Sequence, residues 1–585
     1  MLKTWLSSKN GLFAVRPFSA LRDSFRLGYT KKDLFRDFVA GITVGIIAIP
    51  LSMALAIASG VAPQHGLYTA IVAGFIIALL GGSRFNISGP TAAFVVILYP
   101  ITQQFGLSGL LIAGLMAGII LVIMAMLRLG RLIEYIPLPV TLGFTCGIGI
   151  VIATLQIKDF LGLHIAKMPA TYIGKVEALF HALPTLKVAD LVVGVITLIV
   201  LTQWRRLRLP IPGHLPAVII GTIVAMIFAH FGSEVATIGS SFTYTLPDGT
   251  TGQGIPNVLP EFSLPWNTPN ADGTVTHWTF AKVQSLLPAA FSMAVLGAIE
   301  SLLSAVVLDN MTSTKHHSNN ELLAQGIGNI VAPFMGGITA TAAIARSTAN
   351  VKAGGYSPIS SVFHSLLVLC SVVFFAKQLS YLPLASMAAL LMVVAWNMAN
   401  VGPIIQLIRR SGRSEIAVLF ICIFLTVVFD MVIAITVGVL LASLLFIRTI
   451  AEMTKPVEQK VPTDLDNNTV IYRINGPLFF AAADNLFAEL HTKILEADHP
   501  VKNIILQCDA ATILDAGGVH ALMRFVQTLK PGQTLYMTNM QFQPLRAIVK
   551  AKHTPEIKAI NFSSSLDQAL KKIRRKEAKN IEVLE

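Results

Sequence analysis

Arg346 is the residue of this chain whose chemistry is most out of place. It stands in Gly337-Ile338-Thr339-Ala340-Thr341-Ala342-Ala343-Ile344-Ala345-Arg346-Ser347, a small and polar stretch between strongly hydrophobic segments. A permanent cation is expensive in hydrocarbon and usually marks a pathway or a binding site. The stretch reads as the start of a broken helix, whose free N–H groups and positive dipole end favour an anion. A second short segment, Ser88-Gly89-Pro90-Thr91-Ala92-Ala93-Phe94, has the same small, interrupted character, and its Thr-Ala-Ala recurs at Thr341-Ala342-Ala343. Paired short, Gly/Pro-interrupted segments in two halves of a membrane chain point to a transport site. The candidate substrate-binding residues are therefore Ser88, Gly89, Thr91, Ala92 and Ala93 with Thr341, Ala343, Ile344, Ala345 and Arg346. Two helix ends and one arginine suit an anion, and a dianion in particular.

Glu300 is the second misplaced charge, within the apolar helix Ser292–Ala305, and Ser301 and Ser304 lie near it. A carboxylate without a partner there is a candidate to take up a proton. A static ion pair with Arg346 is the alternative. Lys315-His316-His317 could suggest catalysis or metal binding, but no further ligand spacing accompanies it, and it reads as a solvated loop. No Walker motif and no nucleophile constellation is present, which argues against ATP-driven transport and against an enzyme. The four cysteines, Cys146, Cys370, Cys422 and Cys508, are scattered. They show no metal spacing and no disulfide framework, and each reads as a small buried residue. No cofactor and no metal is expected.

The elements that must position these residues are membrane spans. Of 585 residues, 54% are hydrophobic and only 13% charged, about half the charged share of a soluble protein. With a mean hydropathy of +0.68, this is an integral membrane protein. The net charge of +13 does not read as nucleic-acid binding, because much of it flanks apolar runs. Residues 1–37 are polar and basic and the first apolar run starts near Val39. That run is expected to be an uncleaved first span rather than a signal peptide. Spans are expected near 39–58, 66–81, 88–101, 107–127, 133–155, 186–203 and 214–231. A second set is expected near 283–308, 321–335, 341–352, 358–377, 383–398, 414–429 and 431–450. The segments 88–101 and 341–352 are shorter than the roughly 20 residues of a full crossing.

Basic residues support this count. Arg84, Arg128 and Arg131, Arg205, Arg206 and Arg208, Lys315, Lys352, Arg409, Arg410 and Arg413, and Arg448 follow the even-numbered spans, while the loop 232–281 has no Lys or Arg. By the positive-inside rule both termini are cytoplasmic. Because seven is odd, the second half enters from the opposite face, so the repeats (about 38–231 and 282–450) are inverted. The loop 232–281, with Trp266 and Trp278, is expected to form an external cap or hairpin.

Near Pro456 the composition becomes that of a soluble protein. Thr469–Ile474, Phe479–Ala482, Val501–Cys508 and Thr534–Thr538 read as strands. Helices are expected after Asp484 as a cap, from Ala516, over Gln543–Lys552, and after Ser563-Ser564-Ser565. Alternating strands and helices make residues 456–585 a small α/β domain. Its end, Lys571-Lys572-Ile573-Arg574-Arg575-Lys576, is a basic helical face. It reads as a solvated surface, or as a contact for anionic lipid or an acidic cytosolic partner.

Several of these stretches resemble a known family. Phe38-Val39-Ala40-Gly41-Ile42-Thr43-Val44-Gly45, Ile49-Pro50, Gly66-Leu67-Tyr68 and Ser88-Gly89-Pro90-Thr91 resemble the signature of the sulfate permease (SulP) family of anion transporters. The C-terminal region is similar to a STAS domain. The resemblance implies a 7+7 inverted-repeat fold with core and gate domains, over 38–455, in a homodimer in the bacterial inner membrane. It implies anion binding between spans three and ten beside Arg346, and a coupling cation at Glu300 with Ser304. Ile344 and Ala342 stand where a sodium-binding relative has side-chain oxygens, so the coupling ion implied is a proton. Within the family the resemblance is nearest the C4-dicarboxylic acid transporters, which implies uptake of succinate, fumarate or aspartate by proton symport. Sulfate or bicarbonate is the alternative substrate, and an anion channel the alternative class. In Leu514-Asp515-Ala516-Gly517-Gly518, Ala516 stands where related STAS proteins carry a phosphorylated serine, so that switch is excluded.

Overall fold

The computed structural model describes residues 16–131, 136–165, 168–169, 171–207, 212–245, 251–269, 276–429, 431–462, 468–497, 499–551 and 554–582. Arg208, part of the loop 232–281 and the start of the span expected from 133 lie outside them. Residues 1–439 and 440–585 form two compact units, and the division falls inside the last apolar helix.

In the first unit, α1 (Ser19–Arg26) precedes α2 (Lys31–Ala58) and α3 (Pro63–Leu80). Helix α2 starts eight residues ahead of the expected span at 39 because a capping box fixes its end there. The Thr30 hydroxyl accepts from the Asp33 N–H at 3.3 Å, and the Asp33 carboxylate accepts from the Thr30 N–H at 3.0 Å. Strand β1 (Ser88–Gly89) leads into α4 (Ala92–Met126). Helix α4 contains two expected spans with no loop between them. They are separated only by Gly106, whose φ of 69° leaves the helical region, a conformation that glycine adopts at little cost. Then come α5 (Leu138–Phe160), α6 (Tyr172–Ala182), α7 (Val188–Gln203) and α8 (His214–His230), and the hairpin β2 (Thr243–Thr245) and β3 (Thr251–Gln253).

The second half begins with α9 (Phe280–Thr312) and α10 (Ser318–Val331), then β4 (Thr341–Ala342) and the nine-residue α11 (Ile344–Lys352). It continues with α12 (Ile359–Ser380), α13 (Leu384–Ala399), α14 (Val401–Arg410), α15 (Arg413–Val428) and α16 (Met431–Met453). Among the described residues, with α4 counted as two, and α1, α6 and α14 set aside, seven helical segments stand in each half, in the order expected. Among the described residues, eight helices are long and apolar enough to cross a membrane alone, and the bent pair α6–α7 adds a ninth. The shorter segments are held by their neighbours. Helix α4 packs on α9 and α10, α12 on α2 and α3, and α13 on α5. Close approach needs small residues: a Cβ on Gly118 of α4 would lie 2.8 Å from the Gly326 carbonyl of α10.

In the second unit, β5 (Lys455–Gln459), β6 (Thr469–Asn475), β7 (Asn503–Gln507), β8 (Thr534–Thr538) and β9 (Asn561–Ser563) form one sheet in that order. The first pair is antiparallel and the rest parallel. Helices α17 (Ala483–Leu495), α18 (Ala516–Thr528), α19 (Phe542–Ala551) and α20 (Leu566–Glu582) accompany it. Strands β5 and β9 were not foreseen. Phe479–Ala482 is a turn rather than a strand, with Leu478 alone bridging to Leu514. Asp484 does not cap α17, whose N-cap is Ala482. It lies in the first turn and pairs with Arg524. Asp515 does cap α18, accepting from the Gly518 N–H at 2.8 Å.

Candidate functional site

The two interrupted segments meet. Strands β1 and β4 pair antiparallel, Ser88 opposite Ala342 and Gly89 opposite Thr341. Each runs within a few residues into a helix N-terminus, α4 at Ala92 and α11 at Ile344. Neither end has a side-chain cap: Ala343 has no oxygen to offer, and the Thr91 hydroxyl is turned to Glu300. The first-turn N–H groups of both helices are thus left for another acceptor.

Arg346 sits in the first turn of α11 and is 1% exposed. Its Nη2 donates to the Pro90 carbonyl at 2.6 Å, which ties α11 to the segment leading into α4. Among the described residues its Nε and Nη1 have no partner. A Cβ on Gly89 would lie 2.8 Å from Nη1, so that position keeps the guanidinium's space open. Glu300, on α9, accepts from the Thr91 hydroxyl at 3.0 Å. No ion pair joins it to Arg346 among the described residues, so the static pair is not formed in this structure. Ala343 and Ile344 are half-buried and Ala345 is exposed. Ala92, Ala93, Ile344 and Ala345 offer no side-chain polar group, only backbone N–H groups, and the Ala343 N–H is taken by the Ile87 carbonyl at 3.0 Å.

The other expected side chains hold the site rather than face it. The Thr341 hydroxyl donates to the Gly297 carbonyl at 3.1 Å and meets the Ser301 hydroxyl at 2.6 Å. The Ser88 hydroxyl accepts from Gln325 Nε2 at 3.0 Å. Ser304, one turn from Glu300, is fully buried and donates to Asn86 Oδ1 at 2.9 Å. Its hydroxyl is thus engaged away from the carboxylate. In Lys315-His316-His317, read from sequence as a solvated loop, both histidines have partners: His316 meets Asp309 at 2.7 Å and His317 meets Asp23 at 3.1 Å. Among the described residues no group of histidines, cysteines and carboxylates could hold a metal.

A network on α10 went unforeseen. Glu321, 1% exposed, accepts four hydrogen bonds: from the Gly82 and Ser83 N–H groups at 3.0 Å, Asn86 Nδ2 at 2.8 Å and Gln325 Nε2 at 3.1 Å. Asn329 exchanges two bonds with Ala340, at 2.7 and 2.8 Å, just before β4. Ser347 accepts from the Ile87 N–H at 2.9 Å. Glu321, Gln325 and Asn329 are spaced by four, one stripe on a helix. That spacing in an apolar run was the available signal.

The model of the sulfate permease family matches residues 34–424, and that of the STAS domain matches residues 460–569. YvdB of Bacillus subtilis, which carries a sulfate-transporter name, is 40% identical over 528 residues, covering 89% of this chain and 94% of that one. The bicarbonate transporter BicA of Picosynechococcus is 27% identical, covering 92% and 94%. The solved structure of SLC26A9 superposes with a TM-score of 0.78 at 19% identity, covering 95% and 93%. That last likeness concerns the fold.

Proposed function

The chain belongs to the sulfate permease family of anion transporters, and we propose that it is a secondary transporter of a compact oxyanion, sulfate or bicarbonate, by alternating access. The observation that carries this reading is the pair of uncapped helix N-termini joined through β1 and β4, with two free guanidinium nitrogens of Arg346 beside them. Such an arrangement supplies N–H donors and positive potential without bulky side chains. Ser88, Gly89, Thr91, Ala92, Ala93, Thr341, Ala343, Ile344, Ala345 and Arg346 make up the site. Five of them act through backbone N–H groups: Ala92, Ala93, Ile344, Ala345 and Arg346 itself.

A C4-dicarboxylate is second to sulfate and bicarbonate. The family and BicA are named for the inorganic anions, and helix ends with one arginine do not themselves distinguish a dicarboxylate. Proton symport remains part of the proposal. Glu300 has a hydroxyl donor and no cation partner, so a negative charge there is poorly compensated. Protonation with the anion bound would neutralise the pair of loads together, and release of the proton inside would favour release of the anion. The chain would work as a homodimer in the bacterial inner membrane with both termini in the cytoplasm, as the basic residues after alternate spans favour.

The test is uptake into proteoliposomes with sulfate, bicarbonate and succinate in competition, with and without an imposed pH gradient. Sulfate or bicarbonate should be taken up best. Uptake of succinate alone would restore the dicarboxylate reading. An Arg346→Ala variant with normal KM would remove Arg346 from the site.

A further inference from the structure

Helix α12 carries buried polar atoms that have no part in the anion site proposed above. His364, on α12, is fully buried, and neither Nδ1 nor Nε2 has a partner. Three residues earlier, on the same face of the helix, the Ser361 hydroxyl is also buried without a partner. Arg346 leaves Nε and Nη1 free. Buried polar groups are nearly always hydrogen-bonded, and each exception asks for an explanation. Several unsatisfied donors and acceptors along one path are complementary in kind: guanidinium N–H groups, an imidazole, a hydroxyl.

Packing brings them to one place. Ser365, next to His364, donates its hydroxyl to the Ala70 carbonyl of α3 at 3.0 Å. A Cβ on Gly89 would lie 3.5 Å from Ala70 Cα and 2.8 Å from Arg346 Nη1. Ser365 touches Ala70 directly, and the guanidinium lies on the far side of Gly89 from it. His364 lies within electrostatic range of Arg346. On its other side, a Cβ on Gly41 of α2 would come within 3.1 Å of the His364 backbone nitrogen, so the helix has no room to withdraw.

We propose that His364 is a positioning residue for Arg346: through one bridging water its unprotonated ring nitrogen accepts on behalf of the guanidinium, while its N–H is shared toward the Ser361 hydroxyl. The role requires the neutral ring, since only neutral imidazole carries an acceptor and a donor together. Anchored from behind through one edge, the guanidinium keeps its other N–H groups directed at the anion. The inference rests on Arg346 belonging to the anion site.

The test is a double-mutant cycle on the full-length protein in proteoliposomes, reading KM for radiolabelled sulfate, bicarbonate and succinate. His364→Phe keeps the ring shape and lacks both nitrogens, and His364→Gln keeps an acceptor and a donor. His364→Phe should raise KM about tenfold for the transported anion, and His364→Gln should stay within about twofold. In an Arg346→Ala background, His364→Phe should add less than about twofold. Should the Phe variant not fold, His364→Met takes its place. A KM unchanged in a folded Phe or Met variant overturns the inference. So does an equal factor in both backgrounds, the signature of a purely structural residue. If Arg346→Ala itself keeps its KM, or none of the three anions is transported, the site reading fails and the inference with it.

Discussion

Replacing Glu321 by glutamine changes one oxygen into an amide nitrogen, yet the structure makes it a severe substitution. Both carboxylate oxygens are fully committed, Oε2 to the Gly82 and Ser83 N–H groups and Oε1 to Asn86 Nδ2 and Gln325 Nε2. All four partners are donors. With the partners as they stand, whichever way the glutamine amide is turned its NH2 faces two N–H groups, so up to two hydrogen bonds are lost and two donors are left unpaired. Hydrogen bonds to a charged group contribute about 1.5–3 kcal/mol each, or roughly 3–6 kcal/mol for two. Relief of the buried charge offsets part of this, leaving a net loss of about 2–4 kcal/mol. The total stability of a domain is usually about 5–15 kcal/mol. In purified protein, thermal unfolding followed by fluorescence-detected size exclusion should show Tm lower by at least about 4 °C. The isosteric Glu321→Gln should be no more stable than Glu321→Ala, where water can enter and accept the orphaned donors. A Gln variant melting within about 1 °C of the parent would refute the reasoning, because the network would then not be holding the loop before β1.

Glu300→Gln keeps a partner for Thr91 but cannot exchange a proton. Anion uptake should persist with no response to an imposed pH gradient, and surviving gradient-driven accumulation would count against Glu300 as the proton carrier. In the second unit, the Arg473 guanidinium holds the Asp509 carboxyl below its ordinary range, through a hydrogen bond of 3.0 Å from Nε and a second from Nη2. A depressed folded value means the stabilisation is present above the unfolded carboxylate pKa of about 3.9 and is lost as pH falls through the lower folded one. Protection factors in β6 and β7, corrected for intrinsic exchange, should therefore fall below about pH 4, and Arg473→Met should remove that acid dependence. Gly106→Ala forces a Cβ into the extended positive-φ region that is essentially glycine's alone, at a cost of about 1–3 kcal/mol. Its melting temperature should fall while KM stays unchanged, since Gly106 is a dozen or so residues along α4 from the site.

The parts of the fold legible in the sequence were those written in hydrophobic runs and their charged borders. Arg346 and Ser88–Phe94 stood out because polar and small residues are rare at membrane depth, and the structure brings both to one strand pair. What was hidden depended on partners far away in sequence. Thr341 and Ser304 look like free hydroxyls in a linear reading, and only packing against Ser301 and Asn86 shows them engaged. The boundary between the third and fourth spans was drawn as a gap at 102–106, where the chain only bends at Gly106. A positive-φ glycine inside an apolar run leaves no periodicity signal. In the C-terminal unit Phe479–Ala482 was read as a strand on composition, but Asp515 accepts from the Phe480 N–H at 3.2 Å, which holds that residue in a turn.

The repeat itself was located by a match that proves to be out of register, and the error is informative. Thr-Ala-Ala recurs with an offset of 250 residues, from Thr91 to Thr341. The helix N-caps are Thr91 and Ala343, an offset of 252. Aligned by their helix ends, Thr91 corresponds to Ala343, Gly89 to Thr341, and Phe94 to Arg346. The two half-helices therefore share a backbone and divide the chemistry. In the first, the cap residue supplies the hydroxyl that holds Glu300, and the third helical residue is Phe94, fully buried, with a Cβ on Gly297 of α9 placed 3.3 Å from its ring. In the second, the cap residue supplies nothing and the third helical residue is the arginine. A symmetric backbone provides two equivalent sets of N–H donors for an anion. The asymmetric side chains put the carboxylate contact on one helix and the cation on the other, so the proposed anion and proton would be held together without Glu300 and Arg346 closing on each other.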